Sequence, residues 1–169
     1  MSSSEVKPYK DDAGSKKEQV AKMFNNIAPK YDFLNHVLSM GIDILWRKKA
    51  VKILKKINPT NVLDIACGTG DFSIEDLNSG ATRVVGLDIS SGMVEVGIKK
   101  IKKTGLEDKV ELIVGDSEDM PFEDASFNGI TVGFGVRNFQ NLEKGLAEMH
   151  RVLSENGQVI ILEFSKPKK

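Results

Sequence analysis

The apolar positions change their period once along the chain, near Asn61. Between Lys16 and Ile57 they recur with helical spacing. Val20, Met23, Phe24 and Ile27 fall at i, i+3, i+4 and i+7, one face of a helix that Pro29 ends or kinks. "YDFLNHVLSMG" (31–41) reads as a short helix or loop closed by Gly41. "IDILWRKKAVKILKKI" (42–57) reads as an amphipathic helix with Ile44, Leu45, Ala50, Ile53, Leu54 and Ile57 inward and its lysines outward. Those lysines fit a solvated helix face or a patch for an anionic surface, and the pattern leaves both open.

Beyond Asn61, short apolar and β-branched runs alternate with helical stretches. "NVLDIA", "RVVGLD", "VELIVGD", "GITVGF" and "QVIILEF" predict strands. Helices are predicted at about 71–79, 91–103 and 141–153, with Gly80, Gly105 and Gly157 where helices should stop. Strands this continuously apolar are covered on both faces, so the pattern predicts α/β architecture with a parallel sheet between helices. Right-handed crossovers then give a Rossmann-like, doubly wound sheet in the order 3-2-1-4-5. The expected organisation is a disordered tail over residues 1–14, a helical cap over 15–57 and an α/β core over 61–169, together one domain.

Composition narrows the function. Lysine plus arginine (24) balance aspartate plus glutamate (24), so no overall field draws the chain to nucleic acid or an anionic membrane. A single cysteine, Cys67, makes no internal disulfide, and the first residues lack the apolar run of a signal peptide, which points to the cytoplasm. No cluster with metal-ligand spacing is present in the sequence, so no metal is expected.

In a doubly wound sheet, ligands bind beyond the carboxyl ends of the strands, so the chemistry is sought there. The first such end is "LDIACGTGD" (63–71). Asp64 closes the strand, Gly68 and Gly70 let the backbone turn and approach a ligand closely, and Thr69 is placed to bind it. At the second end Asp88, followed by Ile89, suits the paired hydroxyls of a ribose, or caps the helix that starts near Ser90. At the third, Asp116 suits the exocyclic amine of adenine and the Ser117 backbone N–H a ring nitrogen; a plain turn is the alternative. A dinucleotide fingerprint is not met, because Ser73 stands at its third glycine position, and no phosphate loop of the G-x-x-x-x-G-K type occurs. The fourth end, "TVGFGVRNFQ" (131–140), sets Arg137 and Asn138 at the lip of a buried strand.

An acid before a Gly-rich turn, an acid after strand two and a "GD" after strand three resemble the class I S-adenosylmethionine methyltransferases. "FNNIAPKYDFLNHVLSMGID", "WR", "DIACGTGDF", "GDSEDMPFEDASF", "FGVRN", "EMHRVL" and "LEFSKP" resemble, more particularly, the ubiquinone/menaquinone biosynthesis C-methyltransferases. The resemblance runs from about Lys17 to Pro167. It implies S-adenosyl-L-methionine as cofactor, held by Thr69, Asp88, Asp116 and Ser117. Gly133 stands where some relatives have a serine contact, and Tyr31 and Asp32 match the part that covers the cofactor. The implied reaction is methylation of a ring carbon of a reduced polyprenyl quinone, demethylmenaquinol or the ubiquinone-pathway benzoquinol. Another small-molecule methyltransferase on the same scaffold, or a non-enzymatic nucleotide-binding module, are the alternatives.

Arg137 would stabilise the phenolate electrostatically and Asn138 orient it; the competing role for Arg137 is a structural pair with Glu163. His36 is a base or a structural residue, His150 a solvated one, and Cys67 a small packing residue. The resemblance also implies a peripheral approach to the membrane, where such a substrate resides, and leaves a homodimer open. Relatives continue past "LEFSKP" with a helical segment and two antiparallel strands. This chain stops at Lys169, so strand five is expected to be an uncovered edge and turnover to be impaired, with the cofactor site intact.

Overall fold

A computed structural model describes residues 8–9 and 13–164, without the side chain of His36. Most of the expected tail therefore lies outside the described residues. Two positions within it do meet the cap: the Tyr9 N–H donates to Gln19 Oε1, and the Gly14 carbonyl accepts from Gln19 Nε2. Those bonds let the Gln19 amide be buried beside Val20.

The cap comprises α1 (Lys16–Ile27), α2 (Tyr31–Ser39) and α3 (Ile42–Leu54). Ser15 starts α1 through a capping box with Glu18. Pro29 falls in a 3-10 turn, Ala28–Lys30, that separates α1 from α2. Gly41, at φ 77°, makes the corner into α3, and Ser39 Oγ braces it by donating to Asp43.

Within α3 the expected inward face needs correction. Ala50 and Leu54 are buried and Ile57 is half-buried, but Ile44, Leu45 and Ile53 face solvent. The helix instead turns Asp43, Arg47, Ala50, Val51 and Leu54 inward. That face carries Ala50, Val51 and Leu54 into the core, and the Arg47–Asp43 pair, one turn apart at 2.8 Å, meets the two charges that the same face buries.

The core follows the expected alternation: β1 (Asn61–Ile65), α4 (Asp71–Asp76), β2 (Arg83–Asp88), α5 (Ser91–Thr104), β3 (Val110–Val114), β4 (Phe127–Gly133), α6 (Leu142–Val152) and β5 (Leu153–Leu162). All pairings are parallel and the order is β3-β2-β1-β4-β5. Alternate strand residues serve opposite faces. Leu63, Ile65, Val85, Leu87, Ile130 and Val132 pack toward α6, while Val62, Val84, Val110 and Leu112 pack toward α3 and α5.

Gly80 and Gly105 end their helices at φ 102° and 66°, as expected. Gly157 does not: α6 passes directly into β5, and Gly157 lies inside that strand. There a Cβ would stand 2.8 Å from the Asn128 carbonyl oxygen, so the glycine serves a close approach to β4.

Gly86, in the middle of β2, is closely packed under the site. A Cβ there would lie 2.4 Å from Leu112 Cδ2 and 2.8 Å from Ser73 Oγ. Gly86→Val should cost ~1–3 kcal/mol by overpacking. A thermal melt should show a loss of several degrees, and an unchanged midpoint would mean the sheet has room that this packing denies.

Candidate active site

The strand ends meet in a cleft of two lobes. The larger, about 680 Å³, is walled by apolar side chains, among them Val20 and Phe24 of α1, Leu87, Met93 and Phe139, with Asp88 and Asp116 at its edge. The smaller, about 460 Å³, is lined by charge and polarity: Arg47, Asp64, Thr69, Asp71 and Asn35. Tyr31, Ala66, Gly68, Gly133 and Phe134 border both lobes and mark where they join.

The Gly-rich turn is built from left-handed backbone. Ala66, Gly68 and Gly70 sit at φ 55°, 56° and 80°, which reverses the chain between β1 and α4. A Cβ on Gly70 would meet Leu112 at 3.0 Å, so this residue turns and packs behind the cleft without lining either lobe. The Gly68 N–H donates to Asp88 Oδ2 and the Ser90 N–H to Asp88 Oδ1, each at 2.8 Å. Asp88 thus ties two strand-end turns together. Burial raises its carboxyl pKa, and the N–H donors pull it back. The helix cap, its alternative role, belongs to Ser90, whose side chain accepts from the Met93 N–H.

Asp64 is fully buried below the smaller lobe. Its Oδ2 accepts from Ser73 Oγ at 2.6 Å, whereas Oδ1 has no partner among the described residues. Burial pushes its carboxyl up to about 7. A buried acceptor left open beside a cleft is what a cationic ligand group would satisfy. Thr69 lines the same lobe, with its hydroxyl bonded to Asp32 of α2 and to Lys100 at 3.1 Å. Lys100 also pairs with Asp32 and Asp71, each at 2.6 Å, so the cap is fastened over this lobe by charge.

Asp116, Ser117 and Ile89 line the larger lobe. Asp116 Oδ1 accepts from the Glu118 N–H, the turn expected as its alternative role, while Oδ2 is paired with Lys17 of α1. Glu118, not anticipated from the sequence, is buried and accepts from the Gln140 and Asn141 N–H groups. It links the loop after β3 to the loop after β4.

The fourth strand end separates its two polar residues. Asn138 lines the larger lobe. Arg137 lies outside both lobes, exposed, and pairs with Glu163 while lying over the Phe134 and Phe164 rings. Phe134 holds φ 57°, and Trp46 and Phe164 pack on its ring. Gly135 is needed beside it, since a Cβ would come within 2.4 Å of Ala66 Cβ. Gly133 borders both lobes, against Phe72. Burial, with Asp64 and Asp88 nearby, pushes the Cys67 thiol well up, which leaves it a packing residue. His150 is exposed.

Sequence reasoning missed Arg47, Asn35, Asp71 and Lys17. Arg47 carried one signal, an acid four residues earlier; the others look like ordinary surface residues.

Comparison with known proteins places the chain in a family. A demethylmenaquinone methyltransferase of Bacteroides fragilis is 49% identical over 163 residues, 96% of this chain and 66% of the relative. A ubiquinone/menaquinone biosynthesis C-methyltransferase of Geotalea daltonii is 44% identical over 155 residues, 90% of this chain and 66% of the relative. The chain thus spans just under two thirds of the length of these relatives. Among solved structures, a SAM-dependent methyltransferase from Aquifex aeolicus superposes with a TM-score of 0.62 at 23% identity, over 71% of this chain and 66% of that one, a likeness of fold. The sequence profile of the ubiE/COQ5 methyltransferase family matches residues 12–169, and the chain belongs to that family.

Proposed function

We propose that the chain binds S-adenosyl-L-methionine and methylates a ring carbon of a reduced polyprenyl quinone, demethylmenaquinol first among the candidates. The observation that carries this reading is the division of the cleft into an apolar lobe and a charged one. An adenosine needs apolar walls with acceptors at the edge, and the larger lobe offers Asp88 toward ribose and Asp116 with Ser117 toward adenine. An α-amino acid needs both charges met, and the smaller lobe offers the Arg47 guanidinium for a carboxylate and Asp64 with Asp71 for an ammonium. Bound there, the cofactor supplies a methyl group already activated on a sulfonium.

The chain's own part is to align and to exclude water. Tyr31 closes the junction of the lobes from α2, and Gly68 and Gly133 keep that junction free of side chains. Such orientation contributes up to ~7–11 kcal/mol in favourable cases. Asn138 points the acceptor ring from the lobe's edge. Arg137, exposed, exchanges the half-buried Glu163 for the phenolate oxygen, one anionic partner for another. A cytoplasmic site of action beside the membrane belongs to the same reading.

Calorimetry with S-adenosylmethionine, and methyl transfer to a reduced short-chain demethylmenaquinone, test it together. Arg137→Ala should lower turnover at least tenfold while leaving cofactor affinity unchanged. Unchanged turnover would confine Arg137 to its pair with Glu163. Absence of cofactor binding by the parent chain would overturn the whole reading.

A further inference from the structure

The α2–α3 hairpin carries an apolar surface with no partner among the described residues. On α2, Phe33, Leu34, Val37 and Leu38 share one side by helical spacing, with Phe33 71% and Leu38 82% exposed. Met40, 84% exposed, stands at the corner, and Leu45, 64% exposed, opens the outer face of α3. Leu45 is followed at i+3, i+4 and i+7 by Lys48, Lys49 and Lys52, all exposed, and Lys55 and Lys56 extend the row. The acids of this hairpin point the other way: Asp32 pairs with Lys100, and Asp43 with Arg47. Outward, the charge of residues 31–57 is positive only. A chain neutral as a whole is therefore locally polarised, with an apolar corner continuing into a basic stripe.

We propose that the α2–α3 hairpin docks the protein on an anionic phospholipid bilayer, with the apolar corner entering the acyl boundary and the lysine stripe lying along the phosphates. Among the described residues no helix is long and apolar enough to cross a membrane, so the contact is made from outside. Lipid phosphates fit this surface better than a protein partner does. The stripe offers five cations with no acid among them to set a register, and a bilayer imposes none. Each lysine brought to an anionic surface strengthens partitioning roughly fivefold. Tyr31 and Asn35 of the same helix line the cleft, so docking turns its mouth toward the phase that dissolves a polyprenyl quinol. That last step rests on the proposed function; the surface itself does not.

Co-sedimentation tests the surface with vesicles of phosphatidylglycerol and phosphatidylcholine, against phosphatidylcholine alone. The parent should bind the anionic vesicles at least tenfold better, and rising salt should weaken binding as the Debye length falls from ~10 Å at 0.1 M to ~3 Å at 1 M. Leu38→Ser with Leu45→Ser, and separately Lys48→Gln with Lys49→Gln and Lys52→Gln, should each lose at least tenfold. Being on the surface, they should leave cofactor affinity by calorimetry unchanged. No vesicle binding by the parent, or equal binding by these variants, overturns the proposal. So does a dimer that the serine pair dissolves in sedimentation velocity, which would make the patch an interface between copies. A form lengthened to match its relatives that no longer binds vesicles would overturn it as well. Vesicle binding without cofactor binding would sink the methyltransferase reading and leave the docking surface standing.

Discussion

Asp64→Asn should unfold at a higher denaturant concentration than the parent above neutral pH, and bind S-adenosylmethionine at least tenfold more weakly. The two effects have one cause. Asp64 is wholly buried, and burial lifts its carboxyl from 3.8 to about 7. A raised acid makes the folded state the better proton binder. Its contribution to stability is therefore complete below about pH 4, is lost as pH rises toward about 7, and stays lost above that. A gap of this size corresponds to ~4 kcal/mol at most, at 1.36 kcal/mol for each unit. Asparagine is neutral throughout and still accepts from Ser73, so its advantage should appear at pH 8 and vanish near pH 4. Equal unfolding midpoints at both pH values would show that Asp64 carries no such penalty. A cationic amino group needs the ionised acid, so cofactor affinity in the parent should rise from pH 6 to pH 8, and the variant should lose that dependence. A position that weakens the fold and strengthens the site is a common compromise in enzymes.

Arg47→Met should fail twice, and the failures can be separated. Its guanidinium is buried against Asp43, which is 1% exposed. Removing one member of a buried pair takes away the cation facing Asp43 and costs ~3–5 kcal/mol. Adding Asp43→Asn removes the facing charge as well, and Ser39 Oγ can still bond the amide oxygen, so the double variant should regain most of the lost stability. Cofactor affinity should stay at least tenfold down in both, because the lobe has lost its cation for a carboxylate. If the double variant recovers affinity along with stability, Arg47 holds only the helix.

The sheet was legible because its central strands, β1, β2 and β4, are buried on both faces. Val62 to Ile65 and Val84 to Leu87 pack against helices on either side, so their apolar runs have no competing explanation. The cap was legible only as helices. An amphipathic pattern weighs apolar residues alone, yet the buried face of α3 also carries Asp43 and Arg47, paired with each other, while Leu45 is turned out. Short range misled at Gly157, where close packing of two strands, and not a helix end, requires the glycine. At the site, residues held by the turn itself were readable: Gly68, Asp88 and Asp116 stand where the strand order requires. Arg47, Asn35 and Lys17 were not, since they reach the cleft from the cap, and the docking of one layer on another is not written in either layer's period.

The seam between cap and core has a further consequence for traffic through the site. Lys16 donates to the Arg137 and Phe139 carbonyls, Lys17 pairs with Asp116 and Glu118, Asn25 accepts from Ser90 and Gly92, and Asp32 bonds Thr69 and Lys100. Each is a contact that water replaces at small net loss once parted. These bonds join α1 and α2 to the strand ends, whereas α3 is packed in the core through Ala50, Val51 and Leu54. A cap that opens to exchange a ligand is therefore expected to part along α1 and α2, with α3 and the sheet left in place.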